Sequence, residues 1–130
     1  MFETVAAEHG IGSEELTLIR SEHGKPYFES PPFPLFFSLA HSGRELVLAL
    51  GDCEVGVDIE PLDRVVPQRV ADRYLGGDRN IAAWTRYEAR GKLLGCGIPI
   101  PRELADTPVQ FSEHDIVSGY VVTVAKKYKI

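Results

Sequence analysis

Two carboxylates close an otherwise apolar stretch, V-G-V-D-I-E, from Val55 to Glu60. In an extended chain, side chains two residues apart share a face. Asp58 and Glu60 therefore stand side by side, about 7 Å apart along the strand. Like charges at that range repel and raise each other's pKa, and a divalent cation is the usual reason to keep such a pair. A third carboxylate belongs to W-T-R-Y-E-A-R-G-K, Trp84 to Lys92. Helical spacing puts Ile81, Trp84, Glu88 and Lys92 on one face. Taken alone, that face reads as a surface ion pair of about 0.3–0.5 kcal/mol beneath an indole that belongs to the core. Taken with the acidic strand, Asp58, Glu60 and Glu88 offer three hard oxygen ligands of the kind magnesium prefers. Lys92, one turn further on, can hold a phosphate or neutralise a leaving group. The chemistry this set suits is phosphoryl transfer, in which positioning and charge compensation carry the reaction.

Such a set needs a scaffold that lays a helix against a strand. Three apolar segments, Phe36 to His41, Glu45 to Leu50 and Val55 to Glu60, follow one another at short intervals. Ser42-Gly43-Arg44 and Gly51-Asp52 turn the chain between them, and the pattern predicts an antiparallel meander. Upstream, Glu3 to His9 reads as a short helix, and Leu16 to Arg20 as a strand or a helix tail. Gly24 to Phe28 is a turn entering an extended segment. Successive prolines make Ser30 to Pro34 a loop. Pro67 opens a helix that runs to Leu75. Asp78 or Asn80 caps a second helix, Ile81 to Leu94, which stops near Gly95 and Gly97. Gly91 inside that helix should weaken it by ~1 kcal/mol relative to alanine. Val109 to Ser112 and Tyr120 to Lys126 alternate as a closing hairpin. Strands, then helices, then strands give an α+β fold, an antiparallel sheet packed on helices.

A chain of 130 residues suits one domain with one modest core. Its net charge of −5 disfavours nucleic acid and anionic membranes as partners. Arginines and lysines nevertheless crowd the middle of the chain, so a local basic surface for an anionic ligand is compatible with that total. Cys53 and Cys96 lie far apart and match no metal-ligand spacing, which fits two reduced thiols in the cytoplasm. The first residues lack the basic and apolar regions of a signal peptide. No segment approaches the ~20 apolar residues of a membrane span.

Four stretches in order, G-K-P-Y-F, F-S-L-A-H-S, V-G-V-D-I-E and W-T-R-Y-E-A-R-G-K-L-L-G-C-G, cover Gly24 to Gly97. In order and approximate spacing they resemble the 4′-phosphopantetheinyl transferase superfamily, in its broad-specificity, peptide-synthetase-activating type. The terminal G-Y-V-V-T-V-A is similar to that family's last strand. The resemblance implies a phosphopantetheinyl-transferase-like fold of two similar, pseudo-symmetric α+β halves. Coenzyme A would bind in the cleft between them, with magnesium on its pyrophosphate. It also implies an enzyme that moves phosphopantetheine from coenzyme A to a serine of an acyl or peptidyl carrier protein. By position, Asp58, Glu60 and Glu88 would be the metal ligands. Glu60 or Glu88 would take the serine proton, and Lys92 would stabilise the leaving phosphate. His41 and Ser42 would contact coenzyme A phosphates, and Gly24, Lys25 and Pro26 would line the adenine end. Residues 1–54 would form an incomplete first half, and 55–130 the second half with the metal site. An incomplete half exposes apolar surface and a strand edge, which points to a homodimer. A carrier-protein surface is expected around Arg64, Arg69 and Arg73.

Tyr87 stands where the family has a lysine, and Ser38 and Ala40 replace the asparagine and first serine of the histidine stretch. These departures raise two alternatives. One is a degenerate member that binds coenzyme A, metal or a carrier protein without efficient turnover. The other is a chain that needs a partner polypeptide to complete its site.

Overall fold

The structure, a computed structural model, describes the backbone of residues 17–20 and 26–29 and the whole of residues 36–127. The helix expected at Glu3 to His9 and the loop at Ser30 to Pro34 lie outside the described residues. Of the strand-or-helix alternatives at Leu16 to Arg20, the strand is the one formed. Strand β1 (Thr17–Arg20) pairs antiparallel with β2 (Pro26–Glu29).

Strands β3 (Phe36–Ser42) and β4 (Glu45–Gly51) make an antiparallel hairpin turned at Gly43 and Arg44. Strand β5 (Val55–Pro61) does not continue this hairpin. It forms the edge of a second sheet, ordered β5-β7-β6, with β7 (Tyr120–Lys127) in the centre and β6 (Val109–His114) outside. The meander expected over residues 36–60 is thus corrected at its third strand, whose hydrogen-bond partner comes from the far end of the chain. The reason is burial. Val55 to Ile59 are buried throughout, so β5 needs cover on both faces and on its open edge. The β3–β4 hairpin supplies the edge cover through a side chain. The Val57 N–H donates to Ser38 Oγ, 3.1 Å away and buried, so no orphan donor remains at that point of the edge.

Alternation along the strands gives the second sheet two distinct faces. Val57 and Ile59, opposite Val124 and Val122, point to one side. There they pack with Ala40 and Val47 of the hairpin. Gly56, Asp58 and Glu60, opposite Ala125, Thr123 and Val121, point to the other. That second face carries both helices. Helix α1 (Gln68–Tyr74) follows Pro67, and α2 (Ile81–Leu94) starts at Asn80, whose side chain accepts from the Ala82 N–H at 2.8 Å. Asn80, rather than Asp78, is the cap, and such caps contribute about 1 kcal/mol. Gly95 ends α2 in the left-handed conformation.

Trp84 joins the two helices, stacking with Tyr87 and standing 6.3 Å from the Tyr74 ring. On the sheet side, Thr123 Oγ1 donates to Thr85 Oγ1 at 2.9 Å, a buried polar tie between β7 and α2. Ala89, Leu93 and Ala125 fill the remaining contact. The described residues are therefore an α+β assembly of antiparallel strands and two helices, as the order of elements predicts. Among them no helix is long and apolar enough to cross a membrane.

Candidate active site

Gly56 fixes where α2 lies. A Cβ at this position would overlap the Ala89 carbonyl and the Leu93 backbone nitrogen. Only a glycine lets the helix backbone sit directly on the strand. With Ala89 and Leu93 pressed onto Gly56, the neighbouring helix positions Glu88 and Lys92 flank the strand beside Asp58. The glycine of V-G-V-D-I-E is thus the contact that brings the two halves of the charged set together. Read along the sequence, it serves only as a letter of the motif.

Lys92 Nζ stands 3.4 Å from Asp58 Oδ1 and 3.4 Å from the Leu39 carbonyl. One ammonium therefore touches β5 and β3 from α2. Both distances are long for a charge-assisted bond, which normally closes to 2.7–2.9 Å, so Lys92 is held loosely. Glu60 is held tightly: Arg64 Nη1 reaches its Oε2 at 2.6 Å. Asp58 Oδ2 is buried with no hydrogen-bond partner. An unsatisfied buried carboxylate oxygen is costly, and it faces the helix side of the sheet.

The electrostatics follow from this crowding. Burial pushes the Asp58 carboxyl from 3.8 up to about 7. Lys92 pulls it down, and the negative charges of Glu88 and Glu60 push it up again. Burial likewise raises Glu88, with Lys92 and Arg64 opposing and Glu60 reinforcing. The three carboxylates therefore lie within one another's fields, on the same side of the molecule.

They are not drawn into a finished coordination shell. Among the described residues, no three or more His, Cys, Asp or Glu side chains stand close enough to hold a metal as they are. Two of the carboxylates are instead answered by Lys92 and Arg64. The donor set nonetheless fits a hard divalent cation: it offers oxygen ligands only, repulsion that a cation would relieve, and an orphaned buried oxygen.

The other residues singled out by sequence are distributed as follows. His41 is exposed and Ser42 half-buried at the end of β3, two and three residues beyond the Leu39 carbonyl that Lys92 touches. Gly24 and Lys25 lie outside the described residues. Pro26 opens β2, and its side chain is likewise outside the description. Ala40 is buried in the core beside Val57. Tyr87 is occupied structurally, its hydroxyl accepting from the Ile100 N–H at 3.1 Å. Arg86 pairs with Glu113 at 3.2 Å, whereas Arg69 and Arg73 are exposed on α1. Sequence reasoning missed Arg64 as a partner of Glu60, although the four-residue spacing E-P-L-D-R was a signal. A groove of about 290 Å³ opens on the opposite face of the sheet, lined by Val47, Val55, Val57 and Val124 among others. It contains none of the acidic set.

No protein-family model matches the chain. Over 44 residues, 33% of the chain, it is 52% identical to the protein named 4′-phosphopantetheinyl transferase AcpT of Escherichia coli (strain K12), covering 22% of that relative. Over 106 residues, 70% of the chain, it is 26% identical to the 4′-phosphopantetheinyl transferase gsp of Aneurinibacillus migulanus, covering 43% of it. The chain spans less than half the length of these curated relatives. Both carry the same family name, and they support the superfamily resemblance carried by the four motifs.

Proposed function

We propose that this relative of the 4′-phosphopantetheinyl transferases moves 4′-phosphopantetheine from coenzyme A to a serine of an acyl or peptidyl carrier protein, with magnesium in the acidic site. The observation that carries the proposal is the meeting of Asp58 with Lys92, in the shared field of Glu60 and Glu88. The same side chains are the ones the resemblance assigns to metal and phosphate.

In this reading Asp58, Glu60 and Glu88 hold the cation, which neutralises the diphosphate when bound. The Lys92 ammonium, held only loosely by Asp58 at 3.4 Å, turns to the phosphate that leaves. The serine oxygen forms a bond to the phosphorus bearing pantetheine. The bridging P–O bond breaks, and adenosine 3′,5′-bisphosphate departs with the electron pair. The serine proton passes to Glu88 or Glu60. His41 and Ser42 take further phosphate oxygens, and Gly24, Lys25 and Pro26 border the adenine end.

The fold proposed with this function is a pair of pseudo-symmetric halves, residues 1–54 in the first and 55–130 in the second. Exposed Arg69 and Arg73 are the proposed carrier-protein contact.

A second reading is binding without useful turnover. It is favoured by two details: Ala40 has no polar group to offer, and the Tyr87 hydroxyl is engaged by Ile100. One experiment separates the two. The protein is incubated with coenzyme A, magnesium and an apo carrier protein, and the carrier is weighed by mass spectrometry. A phosphopantetheine adduct that disappears with Asp58→Ala supports transfer. Thermal stabilisation by coenzyme A and magnesium with no adduct supports binding alone.

A further inference from the structure

We infer that Arg64 acts as a built-in cationic plug of the acidic site, holding Glu60 until a divalent cation displaces it. The inference rests on the proposed metal site and concerns what occupies that site beforehand.

The Arg64–Glu60 contact, at 2.6 Å, is the shortest ion pair among the described residues. It is asymmetric in exposure. The Glu60 side chain is 12% exposed, whereas that of Arg64 is 50% exposed. The guanidinium also lowers the raised pKa of Glu88 on the facing helix, so its charge is felt by two of the three carboxylates.

The backbone under Arg64 is fixed. Its N–H donates to the Pro61 carbonyl, and the Leu62 N–H donates to the Gly119 carbonyl on the far side of the turn. The side chain is not packed in the same way. It borders a recess of about 60 Å³ shared with Val66, Pro67, Val70 and Trp84. Arg64 can therefore leave Glu60 by side-chain rotation alone, into water or toward that recess, without repacking the core. A half-exposed guanidinium recovers most of its hydration on release, so displacing it costs little.

Lys92 and Arg64 thus play different parts. Lys92 answers Asp58 loosely from inside the sheet–helix junction, whereas Arg64 closes Glu60 tightly from the solvent side. Without a counter-charge, Glu60 would add its repulsion in full to Asp58 and Glu88. The plug keeps the metal-free site folded at the expense of metal affinity.

The test is direct Mn²⁺ binding, followed by electron paramagnetic resonance of the free ion, on the full chain. Four proteins are compared: wild type, Arg64→Gln, Arg102→Gln and Asp58→Ala. Arg102 is an exposed arginine with no part in the site; changing it alters net charge equally without touching Glu60. The plug predicts that Arg64→Gln binds Mn²⁺ about fivefold more tightly than wild type. Arg102→Gln should stay within about twofold of wild type, and Asp58→Ala should lose the site. If Arg64→Gln matches wild type, or Arg102→Gln tightens binding as much, the plug is overturned while the metal site stands. If none of the four proteins binds Mn²⁺, the metal site itself is wrong and the plug falls with it. Circular dichroism of each variant checks that the fold is kept.

Discussion

The Lys92 ammonium is shared between Asp58 Oδ1 and the Leu39 carbonyl, 3.4 Å from each, and so ties α2 to β5 and β3 at once. It is also the counter-charge nearest the buried Asp58. Lys92→Met should therefore lower stability by about 1–3 kcal/mol at pH 8, where Asp58 loses its counter-charge and must either stay ionised unpaired or take up a proton. At pH 5 Asp58 is protonated and the loss should be smaller. Urea denaturation at the two pH values measures the difference. An equal loss at both would show that Lys92 acts through packing rather than through Asp58.

The pH dependence of the metal-free protein follows from the same carboxylate. Asp58 titrates near 7 when folded and near 3.8 in its ordinary environment. Between those values the folded state binds the extra proton, so stability falls as pH rises. Its contribution is fully present below about pH 4 and is lost as pH climbs through 7. Glu88 is raised as well and acts in the same direction. Asp58→Asn should flatten the stability–pH curve and be more stable than wild type at pH 8 without metal. Thermal unfolding across pH 4–8 checks the sign, and magnesium should stabilise wild type at pH 8 but not the variant.

Gly91 offers a case in which local propensity and tertiary contact disagree. Alanine is favoured over glycine in a helix by about 1 kcal/mol. A Cβ at Gly91, however, would stand 2.7 Å from the Gly97 carbonyl oxygen. The loop is held there because the Cys96 and Gly97 N–H groups both donate to the Gly91 carbonyl. Gly91→Ala should therefore destabilise, by about 1–3 kcal/mol. A stabilised variant in urea denaturation would show that the loop simply moves aside.

Ser38 gives β5 its edge cover, and Ser38→Ala would leave the buried Val57 N–H without an acceptor. The expected cost is about 1–3 kcal/mol, with faster hydrogen exchange at the Val57 amide than elsewhere in β5. Unchanged exchange at Val57 would mean that the hairpin is held by apolar packing alone.

These residues mark what could be read along the sequence and what could not. The shared face of Asp58 and Glu60 follows from a two-residue period, and the Trp84–Glu88–Lys92 face from a helical one. Asn80 and Gly95 bracket α2 by ordinary capping chemistry, and the closing hairpin shows in its own alternation. All of these are local. The pairing of β5 with β7 is not, because nothing in V-G-V-D-I-E indicates that its hydrogen bonds go to residues 120–126 rather than to β4. The same holds for Gly56, whose reason lies in Ala89 and Leu93. It holds too for Tyr87, whose hydroxyl is used by Ile100. For the site, sequence identified the charged residues, and the structure supplied their engagement by Lys92 and Arg64.

The central claim is that Asp58, Glu60 and Glu88 share one divalent cation, with Lys92 turned to a phosphate. A crystal of the protein grown with Mn²⁺ and coenzyme A, measured at a wavelength where manganese scatters anomalously, tests it most directly. The account predicts one anomalous peak within 2.0–2.3 Å, about the usual length of such bonds, of an oxygen from each of the three carboxylates. Lys92 Nζ should have left Asp58 for the coenzyme A diphosphate. A manganese peak elsewhere, or coenzyme A bound with Lys92 still on Asp58 and no metal between the carboxylates, would contradict it.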